Sequence, residues 1–195
     1  GRSPHIACVL NVTPNHLDRY SWEEYVALKL RILQKQTKDD IAVLNLDDEV
    51  TCSFVTEAPG RVVWFSTRRL PNGAAAAFVR DGAIVWRQNS VETKLLSLDE
   101  IALRGAHNVS NVLAAVAVGC AAGLEFQAVA QAVRDFQPVP HRLELVASVQ
   151  QVAYYNDSIA TTPERTLAAL RSFEEPAVLL LGGREKQLPL EELAE

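Results

Sequence analysis

Ile6-Ala7-Cys8-Val9-Leu10-Asn11-Val12, a helical pattern from Ser21 to Gln36, and Ile41-Ala42-Val43-Leu44-Asn45-Leu46 follow one another in the first quarter of the chain, and this stretch decides the fold. Each apolar run is short and rich in β-branched residues, as expected of a strand buried on both faces. Between them Ser21 stands as a helix cap, with Glu24 three residues on as the other half of a capping box. Strand, helix, strand in this order is the unit of a parallel sheet.

Working outward, Arg61–Thr67, Ala74–Arg80, Ala83–Gln88 and Thr93–Leu98 read as short strands broken by Pro71-Asn72-Gly73 and Asp81-Gly82. They predict antiparallel hairpins laid beside the parallel sheet. Residues 107–124 and 126–136 read as two helices, the first so apolar that it must be buried. Gln137-Pro138-Val139-Pro140 is the one proline-rich spot between regular elements, which places a domain boundary there: 1–140 and 141–195. Beyond it, Leu143–Tyr155 reads as two strands around a turn, then a helix from Pro163 to about Ser172, then a strand over Ala177–Gly183. The expected fold is therefore α/β: a mostly parallel sheet with helices and an antiparallel hairpin subregion, followed by part of a Rossmann-like domain.

Composition narrows the function. The 195 residues are 48% hydrophobic with a net charge of −5, enough to build a core and too acidic to favour nucleic acid or an anionic membrane. No apolar run approaches the ~18 residues of a membrane span. Cys8, Cys52 and Cys120 are widely spaced in apolar surroundings and read as reduced core residues of a cytoplasmic protein. The chain has no methionine and opens on Gly1-Arg2-Ser3-Pro4, so it is expected to be an excised piece of a longer protein.

Several polar residues stand where folding does not ask for them. His16 falls just past the first strand, at the carboxyl end where such sheets place ligands, although a loop histidine is also commonly structural. Asp18 and Arg19 beside it suit a local ion pair. Lys29 falls within the helix stripe Trp22–Val26–Leu33, where a lysine must be paired, neutralised or snorkelled outward. Asn108 and Asn111 share one face at the start of the apolar helix, where a side-chain amide also serves as a cap. Around Asn156-Asp157-Ser158-Ile159-Ala160-Thr161-Thr162-Pro163, hydroxyls, a carboxylate and a helix N-terminus converge; the anion-binding reading competes with plain capping by Thr162 ahead of Pro163. Gly182-Gly183 allows close backbone approach before Arg184-Glu185-Lys186.

Four stretches in the same order, NVTPNHLDRY (11–20), GAHNVSNVLAAVAVG (105–119), PHRLELV (140–146) and YYNDSIATTPERTLAAL (154–170), resemble the Mur ligases of peptidoglycan synthesis. The resemblance runs from about Ile6 to Leu190. It implies a central ATPase domain over 1–140 and the start of a carboxyl-terminal domain over 141–195. The implied reaction uses ATP and Mg2+: the carboxylate of UDP-N-acetylmuramoyl-L-alanine is phosphorylated, and the amine of glutamate, expected to be the D-isomer, attacks the acyl phosphate. The resemblance further implies that His16 helps hold the metal, with Lys29 joining it as a carbamate. Asn108 and, more weakly, Asn111 would contact the nucleotide, Arg142 its phosphates and Asp157 its ribose, while Thr161 and Lys186 would hold glutamate. His141 reads as a hinge or packing residue.

Two departures matter. The family's common Asp-Ser-Lys-Ala-Thr is Asp157-Ser158-Ile159-Ala160-Thr161 here, and isoleucine can neither carry charge nor donate a hydrogen bond. The Gly-rich loop ending Gly-Lys-Ser/Thr that the family uses for phosphate is not in this sequence. The parent protein is expected to be monomeric and cytoplasmic, and this piece alone inactive. Alternatives are another amide ligase of the superfamily, such as a folylpolyglutamate synthase, or a non-catalytic nucleotide-binding module.

Overall fold

The computed structural model describes residues 2–14, 17, 19–69, 72–183 and 193. The chain divides into two compact units, one of residues 1–101 and 109–135, the other of 102–108 and 136–195.

The first unit is built on a sheet whose strands follow chain order: β1 (Ile6–Val9), β2 (Ile41–Asn45), β3 (Arg61–Ser66), β4 (Ala76–Arg80), β5 (Ala83–Gln88) and β6 (Val91–Ser97). β1 to β4 are parallel, with Ile6 beside Ile41, Ile41 beside Arg61 and Trp64 beside Ala76; β5 and β6 are antiparallel. All five residues of β2 are buried, as its unbroken apolar run requires. The α/β expectation holds, with one correction. β3 and β4 do not form a hairpin but extend the parallel run. The turn expected at Pro71-Asn72-Gly73 falls in part outside the described residues, and a parallel pair cannot be closed by a tight hairpin turn. Asp81-Gly82 is a true hairpin turn, both residues left-handed at φ 49° and 68°, and Asn89-Ser90 makes a second at 51° and 63°.

Helix α1 (Trp22–Leu30) carries the capping box: Glu24 N–H donates to Ser21 Oγ at 3.2 Å and Ser21 N–H to Glu24 Oε2 at 2.8 Å. It ends six residues before the pattern does. Ile32, Leu33 and Gln36 then donate backbone bonds three residues back, and these tighter turns drive Leu33 fully into the core. Trp22, Tyr25, Val26 and Leu30 pack with Leu33 against Ala7, Val9, Val12, Ala42, Leu44 and Phe54. The short α2 (Glu49–Ser53) is capped by Asp48, whose Oδ1 accepts from Thr51 N–H at 2.7 Å. Helix α3 (Ala106–Ala121) buries Val112, Leu113, Val116 and Ala117, as its composition demands, and α4 (Phe126–Asp135) packs its Val129 against Gly119.

Gly60 fixes how β3 enters the sheet. A Cβ there would stand 2.2 Å from the Asp40 carbonyl oxygen and 2.9 Å from that of Thr37. This turn is itself rigid, since Asp40 Oδ2 accepts from Thr37 N–H at 2.6 Å and Oδ1 pairs with His5 Nδ1 at 2.8 Å. Gly60→Ala is therefore expected to lower stability by about 2–3 kcal/mol through backbone overpacking, seen as a lower urea midpoint. An unchanged midpoint would contradict the close approach.

In the second unit β7 (Glu144–Val149) pairs antiparallel with β8 (Val152–Asn156) around a left-handed Gln150-Gln151 turn, as the sequence predicts. Helix α5 (Pro163–Leu170) has Pro163 in its first turn and Thr162 at the cap position, but the Thr162 hydroxyl makes no cap bond, so that part of the expectation fails. The strand expected over Ala177–Gly183 does not form. A strand exists through its ladder, and these residues have no neighbouring strand among the described residues: Val178 is 92% exposed and Leu180 90%.

Candidate functional site

The second unit gathers three short segments, 104–108, 141–144 and 156–159. His141 and Leu143 are both left-handed, at φ 65° and 47°, a conformation non-glycine residues avoid. The turn they form is stitched at several points. His141 N–H donates to Glu144 Oε2 at 2.7 Å, Ile159 N–H to the His141 carbonyl at 3.2 Å, and Leu143 N–H to Asp157 Oδ1 at 3.0 Å. Asn156 Nδ2 lies 2.8 Å from His141 Nδ1. Arg142, at the centre of the turn, is exposed, so its guanidinium is presented to solvent.

At the start of α3, Asn108 is buried and its Nδ2 donates to the Arg104 carbonyl at 2.7 Å, while its N–H reaches the Gly105 carbonyl at 3.0 Å. Gly105 is left-handed at φ 93°, and a Cβ on it would meet His107 and Ser172 at 2.9 Å. The Arg104 guanidinium lies 5.8 Å from the Tyr155 ring centre and 5.0 Å from that of Phe173, those rings packing edge to face at 4.9 Å, and it pairs with Glu175 at 3.4 Å. This cation–π clamp ties the segment carrying Asn108 to β8. The half-buried imidazole of His107 is held below its ordinary value, first by burial, then by the charge of Arg142, with Asp157 opposing. It is neutral near pH 7, between a cation and a carboxylate. A guanidinium, a half-buried carboxylate, a neutral imidazole and a buried amide thus share one unit, a donor set suited to a ligand bearing both phosphate and hydroxyl groups.

In the first unit, Cys8, Val9, Leu10, Asn11, Leu28, Lys29 and Ile32 line a cavity of about 370 Å³ at the carboxyl end of β1. Of the alternatives for Lys29 the structure takes the outward one: it is exposed, with Nζ 5.0 Å over the Tyr25 ring, and Leu33 of its stripe lies beyond the helix end. Cys8 on the same wall has its thiol pushed up to about 11 by burial, in keeping with an inert core thiol. Beside it, Asn45 Nδ2 donates to the Leu10 carbonyl at 2.8 Å, and Asp47 accepts from Ser66 Oγ at 2.7 Å, Thr67 N–H at 2.6 Å and Thr67 Oγ1 at 2.9 Å. Burial raises the Asp47 carboxyl, but those hydrogen bonds outweigh it and leave it below its usual range. This network ties the carboxyl ends of β1, β2 and β3 together.

Of the residues named from the sequence, the structure brings Asn108, Arg142 and Asp157 into one unit. Asn111 lies one helical turn on, in the first unit, and Thr161 is exposed on the loop before α5. His16 and Lys186 lie outside the described residues, as does Asp18. His141 is not a packing residue, since 64% of its side chain is exposed. His107, Asn156 and Arg104 were not singled out; the signal for the last was its place before a glycine that precedes a helix.

A mostly parallel sheet in one unit, followed by a second unit with this polar cluster, defines an α/β protein. The chain belongs to the Mur ligase family: its residues 2–119 match the Mur ligase middle domain. It is 48% identical over 194 residues to a UDP-N-acetylmuramoylalanine--D-glutamate ligase of Symbiobacterium thermophilum, covering 99% of this chain and 43% of that protein. A protein of the same name from Acidobacterium capsulatum is 45% identical over 186 residues, covering 94% and 40%. This chain thus spans less than half the length of these relatives. Among solved structures it resembles a UDP-N-acetylmuramoylalanyl-D-glutamyl-2,6-diaminopimelate--D-alanyl-D-alanyl ligase from Acinetobacter baumannii, with TM-score 0.67 and 18% identity over 87% of this chain and 37% of that one. A pseudomurein peptide ligase type C from Methanothermus fervidus gives a TM-score of 0.64 at 19% identity, covering 87% and 41%. These two likenesses concern the fold.

Proposed function

We propose that the whole protein is an ATP-dependent ligase that joins D-glutamate to UDP-N-acetylmuramoyl-L-alanine in peptidoglycan precursor synthesis. The observation that carries this reading is 48% identity, over nearly the entire chain, with a relative bearing that name. Residues 1–140 would belong to the central ATPase domain and 141–195 to the beginning of the carboxyl-terminal domain.

The second unit's residues fit a nucleotide. Arg142 supplies charge for phosphate, Asp157 accepts from ribose hydroxyls, and the buried Asn108 amide contacts the nucleotide at the start of α3; Asn111 belongs to the first unit and stays the weaker contact that the resemblance implies. ATP supplies the phosphoryl group that turns the muramoyl-alanine carboxylate into an acyl phosphate. The chain's own part is charge neutralisation and positioning, so that the glutamate amine adds to the activated carbonyl and the tetrahedral adduct collapses to the amide with loss of phosphate. Thr161 and Lys186 would hold the glutamate carboxylates. Magnesium fits less well: among the described residues no three His, Cys, Asp or Glu side chains gather into an ion site, and Lys29 could join one only as the carbamate that the resemblance implies. No step is assigned to it.

The same reading makes the whole protein a cytoplasmic monomer; the three cysteines are free thiols, and among the described residues no helix is long and apolar enough to cross a membrane. The test is ADP release by the whole protein. It is expected to require both the sugar nucleotide and D-glutamate, and to be undetectable with residues 1–195 alone. Nucleotide binding without turnover in the whole protein would favour a non-catalytic module.

A further inference from the structure

The turn that carries Arg142 has a second support that the ligase reading does not use. Ser158 N–H donates to Asn156 Oδ1 at 3.1 Å, which settles the orientation of the Asn156 amide and leaves its NH2 facing His141 Nδ1 at 2.8 Å. A donor facing Nδ1 requires an unprotonated nitrogen, so the imidazole proton sits on Nε2. With its N–H on Glu144 and its carbonyl on Ile159, His141 is then held at three polar points in a left-handed conformation that it would not adopt unaided.

We propose that Asn156 is a positioning residue: by fixing the tautomer and orientation of His141 it preorganises the left-handed turn that presents Arg142 to the nucleotide. The proposal rests on the nucleotide reading of Arg142 given above. The charged groups facing His141 are Glu144, whose Oε2 is 3.7 Å from Nδ1, and its neighbour Arg142; Asp157 engages the same turn through Leu143 N–H. Protonated at Nδ1, the ring would exchange Asn156 for Glu144 as partner, so Asn156 works against that exchange.

The experiment has two arms. In the 195-residue chain, nitrogen-edited NMR of the imidazoles is expected to show His141 with its proton on Nε2. Asn156→Asp replaces a donor by an acceptor of the same shape and should move the proton to Nδ1, while the His107 ring signals stay unchanged and report an intact fold. Asn156→Ala should lose the tautomer preference. In the whole protein, Asn156→Ala is expected to raise KM for ATP about fivefold to tenfold with kcat little changed, the scale of one hydrogen bond. A His141 proton on Nδ1 in the unmodified chain, or a tautomer indifferent to both substitutions, would overturn the proposal. So would an unchanged KM for ATP in Asn156→Ala beside a raised one in Arg142→Ala, which leaves the nucleotide reading intact. An unchanged KM in Arg142→Ala itself would overturn the nucleotide reading, and the positioning role with it, whatever the tautomer.

Discussion

Arg142→Ala in the whole protein is expected to lower kcat/KM for ATP by roughly a hundredfold, the scale of about 2–3 kcal/mol lost with a charge-assisted hydrogen bond. The side chain is exposed and makes none of the bonds that stitch its turn, which run through the backbone of His141, Leu143 and Ile159 and the side chains of Glu144, Asn156 and Asp157. Removing it should therefore leave the thermal midpoint nearly unchanged. A structural arginine would behave the opposite way, with lost stability and little effect on the nucleotide. Arg142→Lys should recover only part of the loss, since an ammonium lacks the planar fork that grips a phosphate. Steady-state kinetics at varied ATP, beside a melting curve, separate the two outcomes.

Lys29→Ala should cost still more. Lys29 stands on the wall of the cavity at the carboxyl end of β1, where parallel α/β sheets gather their chemistry. As a carbamate, formed when Nζ attacks carbon dioxide and releases a proton, it would place two anionic oxygens in that cavity. The alanine variant should then be nearly inactive, and acetate or another short carboxylic acid should restore part of the rate by occupying the vacated space. Lys29→Arg should be as inactive and unrescued, because guanidinium keeps its charge and fills the pocket. If Lys29 serves only as a cation over Tyr25, both variants would keep their activity and the alanine would lose a little packing. Rates with and without acetate decide.

The parallel core was legible because its signals are local. Ser21 and Glu24 announce the start of α1, and uninterrupted apolar runs announce β1 and β2. The end of α1 was not, because turns with bonds three residues back bury Leu33 at a spacing that imitates a helix, which placed Lys29 within an apolar stripe. Pairing partners were legible only where a two-residue turn fixes them. Asp81-Gly82 does so, whereas β3 and β4, expected to close on a turn, pair in parallel. For Ala177–Gly183 the apolar pattern is present, but among the described residues no neighbouring strand gives it a ladder.

Asn108, Arg142 and Asp157 came from the resemblance rather than from spacing. What sequence reasoning missed around them, His107 between two opposite charges and the Asn156 amide on His141, depends on segments between 15 and 50 residues apart meeting in one unit, and no local pattern announces that. Ile159, in place of the family's usual lysine, is 46% exposed and commits only its backbone, to the His141 carbonyl. A side chain so placed takes nothing from the turn that holds Arg142.

The most direct measurement is the mass of the product that the whole protein forms from ATP, UDP-N-acetylmuramoyl-L-alanine and glutamate, with the D- and L-isomers offered separately. The expected product is the sugar nucleotide extended by one glutamate through an amide bond, formed with the D-isomer and accompanied by one ADP. Extension with a folate substrate instead, or no amide product under conditions where nucleotide binds, would contradict the assignment.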